Sequence, residues 1–313
     1  MAHPRRFRFG VQLHGPFAGL TWAQTAQRVE ELGYSTLFLP DHFSDQWGPI
    51  AAMAAAAACT TTLKVGTLVF DNDYRHPVVL AKEMATIDVL SEGRLEVGVG
   101  AGWKRVDYEQ SGIVEDRPGI RVDRMMEGVA VLAGLFGDGP FSFEGEHYRI
   151  DELDGLPMPH TPGGPPLIIA GGSKRMLRFA GANAPIVGVN PSIHSGAVDV
   201  DAARDGMADR MDQKFEWVRE GAGDRFDDLE FNAWVPVAKI TDDRAGFAEL
   251  VAPSFGVPAE EAMESPMVIV GTVGEITETL EARRDRWGFS YFVIQDEAAA
   301  VEMAPVVAAL AGR

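Results

Sequence analysis

The chain has 313 residues, of which 46 are acidic and 28 basic, and its formal net charge at pH 7 is −18. So acidic a chain repels the phosphates of nucleic acids, and no apolar run reaches the ~20 residues that span a bilayer, so neither a nucleic acid nor a membrane is expected as a partner. The single cysteine, Cys59, allows no intrachain disulfide, and no apolar signal sequence follows the basic N-terminus, so we expect a cytoplasmic protein.

Short apolar strands alternate with helices along the first third of the chain. The predicted strands are Phe7–Leu13, Thr36–Pro40, Leu63–Phe70 and Arg94–Gly98. The predicted helices between them are Thr21–Leu32, Pro49–Thr60 and Pro77–Leu90. The strands recur about every 30 residues, which is typical of a strand, a helix and a second, parallel strand.

The rest of the chain interrupts this rhythm and then resumes it. The polar stretch Trp103–Gly119 and the proline-rich stretch Pro157–Pro166 are predicted as loops, and Phe141–Ile150 is predicted as a hairpin. The further predicted strands are Leu167–Ala170, Pro185–Val189, Leu229–Ile240 and Phe289–Gln295. The further predicted helices are Ile120–Phe136, Ser173–Ala180, Asp199–Gly221, Asp243–Phe255, Pro258–Glu264, Thr272–Trp287 and one that begins at about Ala298.

Eight strands that alternate with helices predict an α/β fold, a (β/α)8 TIM barrel that forms a single domain over residues 1–313. The helical patterns after the seventh strand are predicted to be an insertion. An open doubly wound sheet has the same alternation, and the pattern leaves it open as the alternative. In a TIM barrel the chemistry lies at the carboxyl ends of the strands, so the residues that follow each strand are the candidates for function.

Two pairs of residues stand out after the second and third strands. His42 can exchange a proton with a bound ring, and the adjacent Asp41 can fix the orientation of the imidazole. A loop histidine that is held for structural reasons is an equally good interpretation. Leu68 and Val69 end the third strand, and this apolar pair either forms a shelf for a flat ligand or packs in the core.

Glycine-rich segments follow the fourth and fifth strands. Gly98–Gly102 alternates small residues, which let a flat ligand approach the backbone, but Trp103 stands where a dinucleotide-binding fingerprint requires glycine. The second segment precedes a helix whose free N–H groups can bind a phosphate, with an ordinary capped helix as the alternative. Its residues are Ala170, Gly171, Gly172 and Ser173. The seven histidines are scattered, so no metal site is predicted.

Five segments, taken in order, resemble the luciferase-like monooxygenase superfamily. They are Gly33–Phe43 (GYSTLFLPDHF), Lys64–Val69 (KVGTLV), Arg94–Trp103 (RLEVGVGAGW), Phe143–Tyr148 (FEGEHY) and Leu167–Gly172 (LIIAGG). Three later segments resemble an actinobacterial subgroup of oxidoreductases that depend on coenzyme F420. They are Val187–Pro191 (VGVNP), Trp217–Asp228 (WVREGAGDRFDD) and Gly271–Glu275 (GTVGE).

The resemblance implies a TIM barrel and an oxidoreductase that acts on a small-molecule substrate. It implies coenzyme F420, a deazaflavin, as the hydride carrier. One alternative is a monooxygenase that uses reduced FMN from a separate reductase, and another is a flavin-binding protein without turnover. A homodimer is also implied, because members of the family often associate through barrel helices.

The resemblance also assigns the site residues. It places the cofactor ring over the barrel mouth against a non-proline cis peptide bond between Leu68 and Val69, with His42 and Asp41 beside the ring as catalytic residues. Gly102 is the glycine of closest approach. The residues assigned to the cofactor tail phosphate are Gly171, Gly172 and Ser173, with Ala170 directly before them.

One departure from the family concerns the substrate. Sugar-phosphate dehydrogenases of this group have a catalytic glutamate after the fourth strand, where this chain has Trp103, and a phosphate-binding lysine that has no counterpart near Asn190–His194. Glucose-6-phosphate is therefore not the expected substrate, and Trp103 is expected to shape the substrate side of the ring. His42 remains the predicted proton donor, with Glu109 or Tyr108 as weaker candidates.

Overall fold

Eight parallel strands form a closed barrel in the computed structural model, which describes residues 5–193, 195–196 and 199–313. The strands are Arg8–Gln12 (β1), Thr36–Leu39 (β2), Lys64–Thr67 (β3), Leu95–Gly100 (β4), Leu167–Gly171 (β5), Ile186–Val189 (β6), Glu230–Val235 (β7) and Phe289–Gln295 (β8). Each strand pairs in parallel with the next, and β8 pairs with β1. The predicted TIM barrel is confirmed, and the open sheet is excluded.

Helices surround this barrel. Before β5 they are Trp22–Glu31 (α1), Pro49–Ala58 (α2), Pro77–Leu90 (α3), Arg105–Ser111 (α4) and Pro118–Leu135 (α5). After β5 they are Lys174–Asn183 (α6), Val200–Asp205 (α7), Ala208–Ala222 (α8), Arg244–Phe255 (α9), Ala259–Ala262 (α10), Val273–Trp287 (α11), Glu297–Glu302 (α12) and Ala304–Leu310 (α13). Within the described ranges, no helix combines the length and the apolar character that crossing a membrane requires.

Capping residues set the ends of two helices where the sequence predicted them. Thr21 accepts a hydrogen bond from the backbone N–H of Gln24, whose side chain binds the Thr21 N–H in return, and this capping box begins α1. Thr272 and Glu275 form the same arrangement at the start of α11. Gly33 follows α1 with a φ of +85°, a conformation that glycine adopts without strain. The predicted positions of these two helices are therefore confirmed.

Two predictions of single elements were wrong. The loop predicted over Trp103–Gly119 contains α4, a seven-residue helix that ends at Gly112 with a left-handed conformation. The strand predicted over Leu229–Ile240 is interrupted at Pro236, which has no N–H to donate to a neighbouring strand. Its second half leaves the barrel and pairs with Val268–Gly271, a strand that the sequence pattern did not indicate.

Smaller differences affect other segments. The predicted helix Asp199–Gly221 is divided into α7 and α8, because the chain turns at Gly206, the residue that caps α7. The predicted third strand stops at Thr67, and the short strand Phe70–Asp71 then continues the pairing with β4. The predicted hairpin is present, with the strands Pro140–Glu144 and Arg149–Asp154.

Charged side chains fill the amino end of the barrel interior and form what we call the basal charge cluster. Arg8 lies 2.6 Å from both Glu96 and Glu230, and Lys64 lies 3.0 Å from Glu96. The Tyr291 hydroxyl donates to the second oxygen of Glu96 at 2.9 Å. Because Glu96 and Tyr291 are fully buried, this end of the barrel is packed with side chains, and a site must form at the opposite end.

Candidate active site

An apolar bulge follows β3 at the carboxyl end of the barrel. The peptide bond between Leu68 and Val69 is cis, as the resemblance predicted. Gln12 Nε2 on β1 donates to the Leu68 carbonyl oxygen at 2.5 Å, which links the bulge to the neighbouring part of the barrel. Leu68 is buried and Val69 is half-buried. In this Leu68–Val69 bulge, the half-buried Val69 leaves an apolar surface at the barrel mouth against which a flat ring can pack, with Leu68 packed behind it.

The glycines of β4 make room for this bulge. A Cβ atom on Gly98 would lie 2.1 Å from the carbonyl oxygen of Thr67. A Cβ atom on Gly100 would lie 2.7 Å from Cγ2 of Val69. The small residues of this segment were predicted to allow the close approach of a ligand. The structure shows a different reason for them: the segment Thr67–Val69 occupies the space where their side chains would lie.

His42 follows β2 and is held by a carboxylate from α4. Its Nδ1 lies 2.7 Å from Oδ2 of Asp107, and the Tyr74 hydroxyl donates to the same oxygen at 3.3 Å. The rings of Trp103 and His42 meet edge to face, with centroids 5.2 Å apart. Burial lowers the pKa of His42, and the hydrogen bond to Asp107 opposes that shift. Nε2 is then the imidazole nitrogen that is available to a bound molecule.

Asp41 does not orient the imidazole, so this predicted role was wrong. Its two oxygens bind both Nη atoms of Arg75, at 2.5 and 2.9 Å, and one of them also accepts a hydrogen bond from the backbone N–H of Asp71. Bidentate arginine pairs of this kind fix a carboxylate firmly. Asp41 therefore ties the end of β2 to the segment that follows the Leu68–Val69 bulge, while Asp107 holds His42.

A second buried carboxylate, Asp71, lies against Gly102. The Tyr108 hydroxyl is 2.9 Å from Oδ2 of Asp71 and 3.1 Å from a carboxylate oxygen of Asp73. Burial raises the pKa of Asp71 to about 7. A Cβ atom on Gly102, where φ is +75°, would lie 2.0 Å from the Tyr108 hydroxyl. Side chains of the protein therefore fill the space beside Gly102, which had been assigned to close approach of the cofactor.

The two weaker proton-donor candidates sit elsewhere on α4. The hydroxyl of Tyr108 is engaged between two carboxylates, and burial together with those charges raises its pKa well above the usual range. Glu109 is exposed. Of the predicted candidates, His42 is the one that combines partial burial with a fixed hydrogen-bond partner.

The segment after β5 has the predicted form of a capped helix start. Ser173 Oγ accepts a hydrogen bond from the backbone N–H of Met176 at 3.3 Å and caps α6. A Cβ atom on Gly172 would lie 2.4 Å from the backbone nitrogen of Ser192, so the loop after β6 packs against this glycine. Ala170 and Gly171 are half-buried. In the same loop, His194, Ala197 and Val198 lie outside the described residues.

Neither basic residue in the first turn of α6 needs a bound anion to explain it. Lys174 Nζ lies 3.0 Å from Glu220, and Arg175 pairs with Asp123. All four side chains are about half exposed. Any phosphate at this helix start would be held by backbone N–H groups and Ser173, and these two cations would contribute only at longer range.

Uncharged polar groups line the barrel interior on the side of β1, β7 and β8. Gln12 Oε1 accepts hydrogen bonds from the Trp234 indole at 3.3 Å and from the Gln295 amide at 3.2 Å. Asn232 is fully buried on β7, and neither its Oδ1 nor its Nδ2 has a partner among the described residues. An unpartnered buried amide is costly, so this wall has hydrogen-bonding capacity for a molecule from outside the chain.

Sequence reasoning missed the residues that hold the predicted ones in place. Asp107 contacts the predicted residue His42 across 65 positions of sequence, and Gln12 contacts Leu68 across 56. Tyr74 in turn contacts Asp107 across 33 positions. Asp107 lay inside the stretch predicted as a loop, directly before Tyr108 and Glu109. A glycine at position 112 after a short run of helix-forming residues was the available signal that a helix, and hence a fixed carboxylate, was present.

Comparison with known proteins identifies a family and two groups of relatives. The family model described as luciferase-like monooxygenase matches residues 21–213. An F420-dependent glucose-6-phosphate dehydrogenase of Intrasporangium calvum is 23% identical over 85% of this chain and 86% of its own. An FMNH2-dependent dimethylsulfone monooxygenase of Pseudomonas fluorescens is 31% identical over 49% of this chain and 43% of its own.

The fold has a close counterpart among solved structures. The coenzyme F420-dependent tetrahydromethanopterin reductase of Methanopyrus kandleri superimposes with a TM-score of 0.73 over 97% of both chains, at 18% sequence identity. At this identity the likeness concerns the fold alone. The names of the two sequence relatives include two cofactors, F420 and reduced FMN.

Proposed function

The chain belongs to the luciferase-like monooxygenase family, and we propose that within it this protein is an F420-dependent oxidoreductase that transfers hydride between the deazaflavin and a small organic molecule. The observation that carries the proposal is the imidazole of His42, which Asp107 fixes through Nδ1 at 2.7 Å. His42 directly follows β2, the strand that pairs with β3 and so neighbours the Leu68–Val69 bulge. This arrangement combines a proton donor with an apolar surface on which a flat ring can pack.

The residues at the barrel mouth fit a tricyclic ring. The Leu68–Val69 bulge supplies an apolar face, and Ala170 and Gly171 are small enough to let a ring pass near the backbone of β5. The unpartnered amide of Asn232 is an orphaned donor and acceptor in the barrel interior, and a ring edge with carbonyl and N–H groups has the complementary chemistry. These observations support a cofactor with a polar heterocyclic edge.

The start of α6 fits the phosphate of a cofactor tail. The first N–H groups of a helix have no partner inside the helix, and the positive end of the helix dipole favours an anion. Ser173 stands at the cap position, and Gly171 and Gly172 directly precede it. We expect these three residues to hold the tail, since the nearby cations already pair with carboxylates.

A bound deazaflavin supplies the hydride chemistry, and the chain supplies orientation and a proton. The Leu68–Val69 bulge would support one face of the ring, and Trp103, whose ring meets that of His42 edge to face, would limit the space beside the histidine. The Nε2 atom of His42 donates a proton to the substrate as it is reduced, or takes one as it is oxidised. The half-buried ring of Trp103 beside the histidine limits the access of water to the imidazole.

Coverage of the relatives supports F420 over FMN. The match to the F420-dependent dehydrogenase extends over most of both chains, whereas the match to the FMNH2-dependent monooxygenase extends over about half of each. An FMNH2-dependent monooxygenase, supplied by a separate reductase, is the second candidate because its relative has the higher identity. Trp103 in place of a catalytic glutamate argues against glucose-6-phosphate as the substrate under either proposal.

The first experiment compares the two cofactors directly. Purified protein is titrated with F420 and separately with FMN, and cofactor fluorescence and tryptophan quenching are followed. We expect F420 to bind at least about tenfold more tightly, a difference of about 1.4 kcal/mol. Preferential binding of FMN, together with oxygen-dependent product formation, would replace the F420 proposal by the monooxygenase.

Substitution of the histidine tests its part in the proposal. We expect His42→Ala to lower turnover of a reducible substrate by about 100-fold or more, as loss of a positioned proton donor does, with cofactor affinity nearly unchanged. The control is Gln110→Ala, which changes an exposed residue of α4. Unchanged turnover in His42→Ala would contradict a proton-transfer role for this residue.

A further inference from the structure

We propose that Asp107 is the positioning residue of the site: its carboxylate fixes His42 through Nδ1, so that proton exchange with the bound molecule takes place at Nε2 alone. This inference rests on the proposed function, because His42 is its proton donor. It goes further by assigning a role to α4, which the sequence pattern had indicated as a loop. The role assigned to Asp107 is therefore to act through the histidine rather than on the cofactor or the substrate directly.

The geometry around Asp107 is that of a built hydrogen-bond site. The carboxylate side chain is 2% exposed, and its Oδ2 receives both the imidazole Nδ1 at 2.7 Å and the Tyr74 hydroxyl at 3.3 Å. Tyr74 is itself packed on the ring of Phe43, with centroids 4.6 Å apart. A carboxylate that accepts from Nδ1 selects the tautomer with its proton there and restrains rotation of the ring.

The surrounding charges make Asp107 the carboxylate that acts on His42. Asp41 also lies near the imidazole, but both its oxygens are bound by Arg75. Lys104 approaches the other oxygen of Asp107 at 3.7 Å and donates at 3.0 Å to Ser44, so it opposes the charge only in part. The net effect of Asp107 is therefore to favour the protonated imidazole against burial and Lys104, which disfavour it.

The proton balance of the step is simple. When the substrate is reduced, it receives a hydride from the reduced cofactor and a proton from Nε2 of His42. The imidazolium loses that one proton and becomes neutral, and Nδ1 keeps its hydrogen and its bond to Asp107. Oxidation of the substrate reverses each transfer, and in both directions the proton moves at Nε2 alone.

The test is the titration of His42 in the cofactor-free protein, followed by NMR of the imidazole nitrogens. We expect Asp107→Asn to lower the pKa of His42 by about one unit or more, since a close opposite charge is lost while the shape of the side chain is kept. Gln110→Ala, on the exposed side of the same helix, is expected to leave the titration unchanged. An unchanged His42 titration in Asp107→Asn would overturn the inference.

A second variant keeps the test sharp if Asp107→Asn does not fold. Tyr74→Phe removes the other donor to Oδ2 of Asp107 without changing the ring that packs on Phe43. With one hydrogen-bond donor fewer, the carboxylate interacts more strongly with the imidazole. We therefore expect Tyr74→Phe to raise the pKa of His42. A His42 titration that does not respond to Tyr74→Phe would contradict the assigned contact.

Turnover separates this inference from the proposed function. We expect Asp107→Asn to lower kcat by about 10-fold to 100-fold, the usual effect of removing a hydrogen-bond partner behind a functional histidine, with the cofactor Kd unchanged. A loss of kcat without any shift in the histidine titration would assign Asp107 a purely structural role. If neither F420 nor FMN binds, the proposed function fails, whereas the NMR titration still decides whether Asp107 controls His42.

Discussion

At the scale of single residues, the hydrogen bonds around Asp71 indicate that its carboxyl group carries a proton. The hydroxyl of Tyr108 lies within hydrogen-bond distance of both Asp71 and Asp73, but it has only one proton to donate. A protonated Asp71 solves the problem, because it donates to the Tyr108 oxygen while Tyr108 donates to Asp73. Burial raises the pKa of Asp71 from 3.8 to about 7, which agrees with this arrangement.

Asp71 therefore predicts a pH dependence of stability. The folded state keeps a proton on Asp71 up to about pH 7, whereas the unfolded chain loses it near pH 4, so the free energy of unfolding falls as the pH rises between these values. We expect Asp71→Asn to remove this decline and to gain stability relative to the wild type on the order of a few kcal/mol from pH 4 to pH 8. Denaturation at several pH values measures this difference, and the exposed Asp138→Asn is the control.

A parallel decline in wild type and Asp71→Asn would show that Asp71 is ionised throughout the range. Asp138→Asn is expected to follow the wild-type curve at each pH. The comparison between the two variants therefore isolates burial as the cause, since both remove the same chemical group.

At the scale of elements, the end of β3 depends on its neighbours for hydrogen bonds. The Leu68 carbonyl oxygen is bound by Gln12 from β1, and the same amide accepts bonds from Trp234 and Gln295. Gln12 is 4% exposed, so water cannot readily replace it. One side chain thus joins three strands at the mouth of the barrel.

The substitution Gln12→Leu tests this junction. We expect it to lower the free energy of unfolding by about 1–3 kcal/mol, because it leaves two partly buried donors and a buried carbonyl acceptor without partners. Gln27→Leu removes a hydrogen bond from an exposed glutamine of α1 and is expected to change stability by no more than about 0.5 kcal/mol. Equal effects of the two substitutions in urea denaturation would contradict the role of Gln12.

The elements also show what the sequence could and could not predict. Short apolar runs bounded by turn residues indicated all eight barrel strands, and capping residues such as Thr21 and Thr272 located helix starts, because these signals are local. Helix α4 was missed because a segment of seven mostly polar residues is too short to show a helical periodicity of apolar residues. Consequently Asp107 was not identified as the partner of His42, a contact that joins residues 65 positions apart.

At the scale of the whole molecule, the outer surface carries apolar residues that suggest an association. Val79 and Leu90 on α3 are 52% and 65% exposed, and their separation along the helix places both on one face. The family resemblance implies a homodimer formed through barrel helices. We therefore predict that the protein is a dimer in which this face of α3 is covered.

Light scattering coupled to size-exclusion chromatography measures the predicted dimer. The wild type is expected to have twice the monomer mass, and Leu90→Glu is expected to shift it toward the monomer because a charge would be buried in the contact. Leu250→Glu changes a similarly exposed leucine on α9 and is expected to leave the mass unchanged. A monomeric wild type at micromolar concentration would exclude the dimer.

The basal charge cluster has a consequence for the order of events during turnover. Because Arg8, Glu96 and Tyr291 fill one end of the barrel, every molecule that reaches its interior passes through a single opening. A cofactor ring seated on the Leu68–Val69 bulge would lie beneath whatever binds after it. Substrate would then bind after the cofactor, and product would leave before it. The closed amino end of the barrel therefore predicts an ordered kinetic mechanism.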